Sequence, residues 1–147
     1  IYGDSSTSIS LDGNDGGITI SGNYASSKNS SSYYAYSSAY GGAIYGGNNA
    51  QIILEGNKGG ICISRNYADG YTSCGGAIYG ANDTIISIIG NEGDINITEN
   101  GYSETSSIVT YDGGAIYLSG GELNIRDNAN LVTIKGNRAQ YGGAFYT

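Results

Sequence analysis

The stretch GGAIYG occupies residues 41–46 and recurs letter for letter at 75–80. Related copies follow as GGAIYL at 113–118 and GGAFYT at 142–147, and the chain opens on IYG at 1–3. The glycine pairs at 41, 75, 113 and 142 are separated by 34, 38 and 29 residues. This elastic period predicts a repeat architecture in which like residues of successive copies lie above one another.

Each repeat also contains two short segments of alternating apolar residues that end on Asn. The first segment reads ISLDGN (9–14), IILEGN (52–57), ISIIGN (86–91) and LNIRDN (123–128). The second reads ITISGN (18–23), ICISRN (61–66), INITEN (95–100) and VTIKGN (132–137). The two Asn positions are nine residues apart in every copy, so the length variation falls almost entirely between the second Asn and the next glycine pair.

Apolar alternation with a period of two is typical of β-strands, and each repeat offers three such segments bounded by Gly and Asn. Three strands per repeat predict an all-β fold, a three-sided β-solenoid of about four coils with three parallel sheets on its sides. The expected coils cover about 1–40, 41–74, 75–112 and 113–141, with a partial coil at 142–147. Together they form a single repeat segment over 1–147.

The apolar positions predict five inward stacks. On the GGA strand the stack is Ile1, Ile44, Ile78, Ile116 and Phe145. On the first segment the stacks are Ile9, Ile52, Ile86, Leu123 and Leu11, Leu54, Ile88, Ile125. On the second segment they are Ile18, Ile61, Ile95, Val132 and Ile20, Ile63, Ile97, Ile134. The glycine pair is expected to provide a tight backbone path into the GGA strand.

The Asn positions predict two structural ladders at the corners of the coil. Asn tolerates the left-handed conformation, and its amide can bond the coil above. The two ladders are Asn14, Asn57, Asn91, Asn128 and Asn23, Asn66, Asn100, Asn137.

The composition excludes several classes of function. Thirteen acidic residues against six basic ones give a formal net charge of −7, which would repel a phosphate backbone, so no nucleic-acid partner is expected. No apolar run approaches the roughly 20 residues that span a bilayer, so this segment is not expected to insert into a membrane. No cofactor is indicated. The chain lacks an initiator Met and opens within a repeat, which we interpret as a processed or excised piece of a longer protein.

The paired motifs resemble the repeats of the polymorphic outer membrane proteins of chlamydiae, whose passengers repeat the tetrapeptides GGA(I/L/V) and FxxN. Here GGAI stands at 41–44, 75–78 and 113–116, and GGAF at 142–145. The second motif has Ile in place of Phe, as in Ile20 to Asn23 and Ile63 to Asn66. The resemblance covers the whole chain. It implies a right-handed parallel β-helix exposed on the bacterial cell surface, a fold associated in that family with adhesion to host cells.

Three functional hypotheses follow. The leading one is an extracellular, adhesin-like module whose stiff rod displays Ser- and Tyr-rich loops to a host-cell or glycan receptor. The second is a subunit of a head-to-tail extracellular filament, whose partner is a further copy of itself. The third is a polysaccharide-active enzyme using Asp12 and Glu55, which occupy equivalent outward positions in neighbouring coils. We expect no catalysis, because that series continues with Ile89 and Arg126 and the chain has no His.

Tyrosines are the candidate partner-binding residues. The longest insertion, SSKNSSSYYAYSSAY (26–40), has a composition that antibody paratopes also use, although a merely tolerated insertion is the alternative. Its candidates are Tyr33, Tyr34, Tyr36 and Tyr40. Another set follows the inward residue of each GGA strand and should form one outward column, which either stiffens the sheet or contacts another chain or sugar rings. That column is Tyr2, Tyr45, Tyr79, Tyr117 and Tyr146.

Two further features of the sequence concern cross-linking and metal binding. Cys62 falls on an outward position and Cys74 ends a short loop beside the same coil, so we favour a disulfide in an oxidising setting over two free thiols. DGNDGG (12–17) resembles a calcium loop through the oxygens of Asp12, Asn14 and Asp15. It lacks the closing bidentate Glu, so no metal site is expected.

Overall fold

The computed structural model describes residues 1–27, 38–103 and 110–147, and in these ranges the chain is all-β, with strands joined by turns and no helix. The strands are mostly three to six residues long because Gly and Asn interrupt every apolar run. In chain order they are β1 (Tyr2–Gly3), β2 (Ser8–Ser10), β3 (Ile18–Ser21), β4 (Tyr24–Ser26), β5 (Ser38–Tyr40), β6 (Ile44–Gly46), β7 (Gln51–Glu55), β8 (Ile61–Ser64), β9 (Tyr67–Asp69), β10 (Thr72–Cys74), β11 (Ile78–Gly80), β12 (Thr84–Ile89), β13 (Ile95–Thr98), β14 (Thr110–Asp112), β15 (Ile116–Leu118), β16 (Gly121–Arg126), β17 (Val132–Lys135), β18 (Ala139–Tyr141) and β19 (Phe145–Tyr146).

Every pairing between these strands is parallel, and strands from successive repeats are neighbours in each sheet. The IYG residues form the Tyr sheet, in the order β1-β6-β11-β15-β19. The first Asn-terminated segments form the first Ile sheet, β2-β7-β12-β16, and the second segments form the second Ile sheet, β3-β8-β13-β17. These three sheets match the three strands per repeat that the sequence predicts.

Two further sheets lie between the second Asn of each repeat and the next glycine pair, where the sequence predicts loops. The short sheet joins β4 to β9, directly after the second Asn, and the return sheet joins β5, β10, β14 and β18, directly before the glycine pair. The expectation of three strands per repeat was therefore incomplete. Strands of three residues carry too few alternating positions to give a recognisable pattern.

The core consists of the predicted apolar stacks. Ile52 pairs with Ile9 on one side and with Ile86 on the other, and Ile63 pairs in the same way with Ile20 and Ile97. Burial is greatest in the middle of the stacks, at about 1.5–3 kcal/mol for each fully buried side chain. The largest fully buried apolar side chains are Ile44, Ile52, Leu54, Ile61, Ile63, Ile78, Ile86, Ile88, Ile95, Ile97 and Ile116.

One predicted core residue is exposed. Ile1, expected in the stack of the Tyr sheet, leaves 57% of its surface accessible. Its ammonium group donates a hydrogen bond to the carbonyl oxygen of Ala43 at 2.7 Å, and the strand that follows begins only at Tyr2. The prediction of Ile1 as core was wrong.

The glycine pair positions the Tyr sheet, and its two members are required for different reasons. The first glycine of each pair has a positive φ, such as 60° at Gly41 and 67° at Gly75, which disfavours any side chain. The second glycine lies against the next coil, because a β-carbon on Gly42 would stand 2.1 Å from the carbonyl oxygen of Gly76. The same contact recurs between Gly76 and Gly114 at 2.0 Å. The backbone conformation therefore requires the first glycine, and close stacking of successive repeats requires the second.

Both predicted Asn ladders are present. The backbone N–H and the Nδ2 of Asn57 donate to the Oδ1 of Asn91 at 3.1 and 2.9 Å, and Asn66 donates to Asn100 at 3.0 Å through both groups. The Nδ2 of Asn57 also donates to the carbonyl oxygen of Leu11 in the preceding coil. Since Asn57, Asn66, Asn91 and Asn100 are completely buried, these bonds satisfy polar groups that water cannot reach.

The left-handed conformation expected for the ladder residues belongs to the residue before each Asn. Arg65, Glu99 and Asp127 have φ values of 57°, 56° and 57°, and glycine holds the same place in the other copies. The turn thus frees the Asn amide to reach the next coil. The expectation that Asn itself adopts this conformation was wrong.

Candidate binding surface

The Tyr sheet carries a continuous column of stacked phenol rings on its outer side. The register pairs Tyr45 with Tyr2 and Tyr79, and Tyr117 with Tyr79 and Tyr146. Successive ring centroids lie 4.9, 5.3, 5.3 and 5.5 Å apart, with planes inclined by 5°, 10°, 2° and 7°. We call these five residues the Tyr column. Its position follows from the alternation of the strands, in which an inward Ile or Phe directly precedes Tyr45, Tyr79, Tyr117 and Tyr146.

The stacking decides which part of each phenol ring a partner can contact. Nearly parallel rings about 5 Å apart cover one another's faces, so the column presents ring edges and hydroxyl groups to its surroundings. Exposure is greatest at Tyr2, with 70% of its surface accessible, whereas Tyr45, Tyr79 and Tyr117 are half-buried. Contact with sugar rings through the aromatic faces, one of the sequence-based hypotheses, is therefore hindered at the three central tyrosines.

Tyr40 joins the column from the return sheet. Its ring lies 4.6 Å from the ring of Tyr79 at a tilt of 34°, and 6.5 Å from that of Tyr45. The structure thus brings one of the four loop tyrosines together with the column. The other three candidates, Tyr33, Tyr34 and Tyr36, lie outside the described residues, and the hypothesis that they contact a partner stays a prediction.

Burial dominates the titration of the central phenols. It raises the pKa of Tyr79, and the neighbouring Tyr40 and Tyr117 raise it further. Burial likewise raises the pKa of Tyr45, with additions from Tyr2 and Asp4. The pKa of Tyr117 is raised by burial first, then by Cys74 and Asp112. These phenols therefore remain neutral hydrogen-bonding groups at neutral pH and beyond.

Other tyrosines form contacts that the sequence analysis did not predict. Tyr24 stacks on Tyr67 in the short sheet, with centroids 5.5 Å apart. Tyr111 meets Tyr141 edge to face at 5.4 Å on the return sheet. A signal for the first pair was present, because both of its members directly follow an Asn of the second ladder.

The two cysteines are free thiols, so the favoured disulfide is not formed and the alternative holds. Cys62 lies in the second Ile sheet, where its Sγ is 3.5 Å from the Oγ of Ser64. Cys74 lies in the return sheet and donates to the Oδ2 of Asp112 at 3.8 Å. The two side chains therefore belong to different sheets, Cys62 on the outer side of one and Cys74 buried in the other.

The thiol of Cys74 is expected to be unreactive at neutral pH. Burial, with smaller contributions from the charge of Asp112 and the hydrogen bond to it, raises the pKa of its thiol to about 12. Burial also raises the pKa of the Asp112 carboxyl, which the hydrogen bond from Cys74 partly offsets. Because the thiolate is the reactive form, Cys74 is a poor nucleophile at neutral pH.

The candidate catalytic and calcium-binding carboxylates, Asp12, Asp15 and Glu55, are exposed on the surface. Asp12 and Glu55 are both exposed, and Glu55 pairs with Ile89, which ends the row of carboxylates. Asn14 is committed to its ladder, and Asp15 forms an ion pair with Lys58 at 2.8 Å. Within 1–27, 38–103 and 110–147, no three His, Cys, Asp or Glu side chains are grouped so as to hold a metal ion.

Searches against protein-family models, curated proteins and solved structures found no match to this chain. The resemblance to the chlamydial repeats therefore rests on its GGA and Ile-x-x-Asn motifs. In the described part of the chain, no helix has the length and apolar character needed to cross a membrane.

Proposed function

We propose that this chain is a segment of a right-handed parallel β-helix that acts as an extracellular, adhesin-like module on a bacterial surface. The fold proposal is supported by parallel sheets in which successive repeats supply neighbouring strands. Connections between parallel strands of one sheet are right-handed in nearly all proteins, which favours that hand here. The resemblance of the motifs to chlamydial surface passengers supports the location and the adhesive role.

The observation that carries the functional proposal is the confinement of length variation to one part of the repeat. The link from β4 to β5 spans 27–37, whereas the equivalent link from β9 to β10 is only Gly70 and Tyr71. Everywhere else the strands keep matching registers across the coils. A rigid scaffold with insertions at one place is the usual arrangement for binding loops. The partner we propose is a host-cell or glycan receptor, contacted through the Ser- and Tyr-rich insertion.

The test is a pair of variants assayed on a glycan array and on host epithelial cells. In the first variant residues 27–37 are replaced by Gly-Tyr, the natural link of the next coil. In the second, Tyr33, Tyr34 and Tyr36 become Ser while the loop keeps its length. Both variants should lose binding, with far-UV circular dichroism unchanged. Full binding by the shortened variant would contradict the proposal. If only the shortened variant lost binding, the loop would be required but the three tyrosines would not contact the receptor.

A second candidate function is a head-to-tail filament, which the polarity of the ladders favours. In each step between described coils the donor belongs to the earlier Asn and the acceptor to the later one. A copy stacked in the same direction would continue both ladders, with Asn128 and Asn137 donating to its first-coil Asn residues. Electron microscopy and sedimentation velocity over a range of concentrations test this candidate. Monodisperse monomer at the highest concentration would exclude it.

We propose no catalytic role for the Asp12 and Glu55 corner. The exposure of both carboxylates and the interruption of their row at Ile89 support this. The double variant Asp12→Asn with Glu55→Gln should behave like the parent chain in assays of polysaccharide cleavage. A parent activity that the double variant lacks would establish an enzyme instead.

A further inference from the structure

The ring of Tyr40 reaches from the return sheet onto the Tyr column. Its centroid lies 4.6 Å from that of Tyr79, which is closer than any two neighbouring rings within the column, and 6.5 Å from that of Tyr45. The planes of Tyr40 and Tyr79 are inclined by 34°, so they converge on one side and bring ring edges together there. Tyr40 therefore meets Tyr79 differently from the column members, whose planes are nearly parallel.

Both rings of this pair can be oxidised from solution. Tyr40 leaves 37% of its surface exposed, so a soluble oxidant can reach it directly. Tyr79 is half-buried, but it belongs to a column whose two end members, Tyr2 and Tyr146, are exposed. Phenol rings that are stacked about 5 Å apart exchange electrons readily, so the column can carry an oxidation from either end to Tyr79.

We propose that Tyr40 and Tyr79 form a site of oxidative cross-linking, at which a peroxidase and hydrogen peroxide join the two rings by a dityrosine bond. Each phenol loses one electron and its hydroxyl proton and becomes a phenoxyl radical with unpaired spin on its Cε carbons. The radicals couple through one Cε carbon of each ring, and the hydrogen on each bonded carbon then moves to the phenol oxygen. In total the two rings give up two hydrogen atoms, and one hydrogen peroxide is reduced to two molecules of water.

The geometry favours this pair over neighbouring rings within the column. A dityrosine bond extends from the edge of each ring in the plane of that ring, so it forms where edges meet and not where faces stack. Tyr45 and Tyr79 stack at 5.3 Å with planes 10° apart, and strand pairing holds their backbones in register. Tyr40 lies on β5, an edge strand that pairs only with β10 in the described part of the chain, so its ring is held less firmly.

The bond would anchor the edge of the return sheet to the Tyr sheet. β5 directly follows the insertion at 27–37, so a link from Tyr40 to Tyr79 in β11 fixes the end of that insertion to the scaffold. Thiols do not cleave a carbon–carbon bond, in contrast to a disulfide. This proposal goes beyond surface display and does not depend on it. The variant with the shortened loop retains Tyr40 and should still cross-link, which separates the two proposals experimentally.

The experiment treats the full chain, at low concentration, with a haem peroxidase and hydrogen peroxide and isolates the monomer by size-exclusion chromatography. Dityrosine fluorescence measures the yield, and tandem mass spectrometry of digests locates the bond. The digests are reduced first, because a disulfide between Cys62 and Cys74 would also remove two hydrogen atoms. We expect a bond between Tyr40 and Tyr79 in the monomer. A monomer without dityrosine, or with the bond between other tyrosines, would overturn the proposal.

Variants that keep the aromatic ring test the assignment. Tyr40→Phe and Tyr79→Phe should each lose the dityrosine fluorescence of the monomer. Their matched control, Tyr67→Phe, alters the stacked pair on the short sheet and should keep it. Loss of the bond in Tyr45→Phe but not in Tyr40→Phe would place it within the column and overturn the proposal.

The anchoring role has its own measurement. A cross-link restricts the unfolded chain, so oxidation should raise the urea midpoint of the parent monomer. The midpoint of Tyr40→Phe, oxidised in the same way, should not change. An equal rise in both chains would show that the stabilisation comes from another oxidised group and would overturn the anchoring role.

Discussion

Asn57 donates both its backbone N–H and its side-chain amide to the single Oδ1 of Asn91, at 3.1 and 2.9 Å. Asn91 in turn donates its Nδ2 to the carbonyl oxygen of Leu54 and to the Oδ1 of Asn128. One amide therefore ties three coils together where water is excluded, since Asn91 is completely buried. The ladder is thus a continuous element of the core, and its contribution is greatest where it is most deeply buried.

Substitution of Asn91 by Ala should lower the free energy of unfolding by about 3 kcal/mol. The reason is that the backbone N–H of Asn57 and the carbonyl oxygen of Leu54 would each lose a buried hydrogen bond, and the Nδ2 of Asn57 would keep only its bond to Leu11. Equilibrium unfolding in urea measures the change. The matched control is Asn14→Ala at an exposed position of the same ladder, where water replaces the lost bonds and the cost should be about 1 kcal/mol or less. Equal costs at the two positions would contradict a burial-dependent ladder.

The glycine pair gives a sharp steric prediction. A β-carbon on Gly76 would stand 2.0 Å from the carbonyl oxygen of Gly114, so Gly76→Ala must push two coils apart. We expect a loss of at least about 3 kcal/mol, or no folded protein at all. Gly16→Ala is the control, because nothing lies within 4 Å of its added carbon and its φ is not positive. That control should be neutral or slightly stabilising, and circular dichroism with thermal unfolding distinguishes the two variants.

The sequence predicted the sheets whose strands repeat with strict spacing. Because the two Asn positions are always nine residues apart, the sequence predicted the pairing of Ile52 with Ile86 and of Ile63 with Ile97. Side-chain alternation then assigned Tyr79 to the outer side of the Tyr sheet. The same register predicted the Tyr column, because parallel strands that pair in register bring the Tyr of one repeat next to the Tyr of the following repeat.

Other features depend on contacts that no spacing encodes. The strands of the return sheet, such as Thr72–Cys74 and Thr110–Asp112, have unrelated sequences and different distances from the second Asn. Cys74 is buried against Asp112 because β10 pairs with β14, and the positions of the two cysteines in the sequence do not reveal this pairing.

The residues before the ladder Asn offer a stabilising change. Arg65 and Glu99 hold φ values of 57° and 56°, where five equivalent positions have Gly. Their mutual ion pair at 3.1 Å is exposed, and such pairs contribute about 0–1 kcal/mol. Glycine at both sites would remove the steric cost of the left-handed backbone, and this gain should be larger than the loss of the ion pair. The double variant Arg65→Gly with Glu99→Gly should therefore raise the free energy of unfolding by about 1 kcal/mol.

The control for this change is a glycine placed one residue earlier. Thr98→Gly lies inside β13, where the backbone is extended, so the substitution should cost about 0.5–1 kcal/mol. Chemical unfolding of all variants under one condition measures the difference. Destabilisation of the double variant by as much as Thr98→Gly would show that the ion pair outweighs the backbone term.

Stability should fall in alkaline solution because of Cys74. Burial and Asp112 raise the pKa of its thiol from an ordinary 9.0 to about 12, so the folded chain holds this proton more tightly than the unfolded chain. The stability from this group is therefore fully present below pH 9 and is lost as the pH rises toward 12. Raised pKa values at Tyr45, Tyr79 and Tyr117 add to the loss above pH 10. Urea unfolding at pH 8, 9 and 10 measures how steeply the free energy of unfolding falls with pH, and this fall should be smaller in Cys74→Ala.

The burial of Cys74 also predicts its reactivity. At pH 8 iodoacetamide should modify the half-buried Cys62 and spare Cys74, as peptide mass mapping would record. Rapid modification of Cys74 in the native chain, or a slope that Cys74→Ala leaves unchanged, would contradict the burial of this thiol.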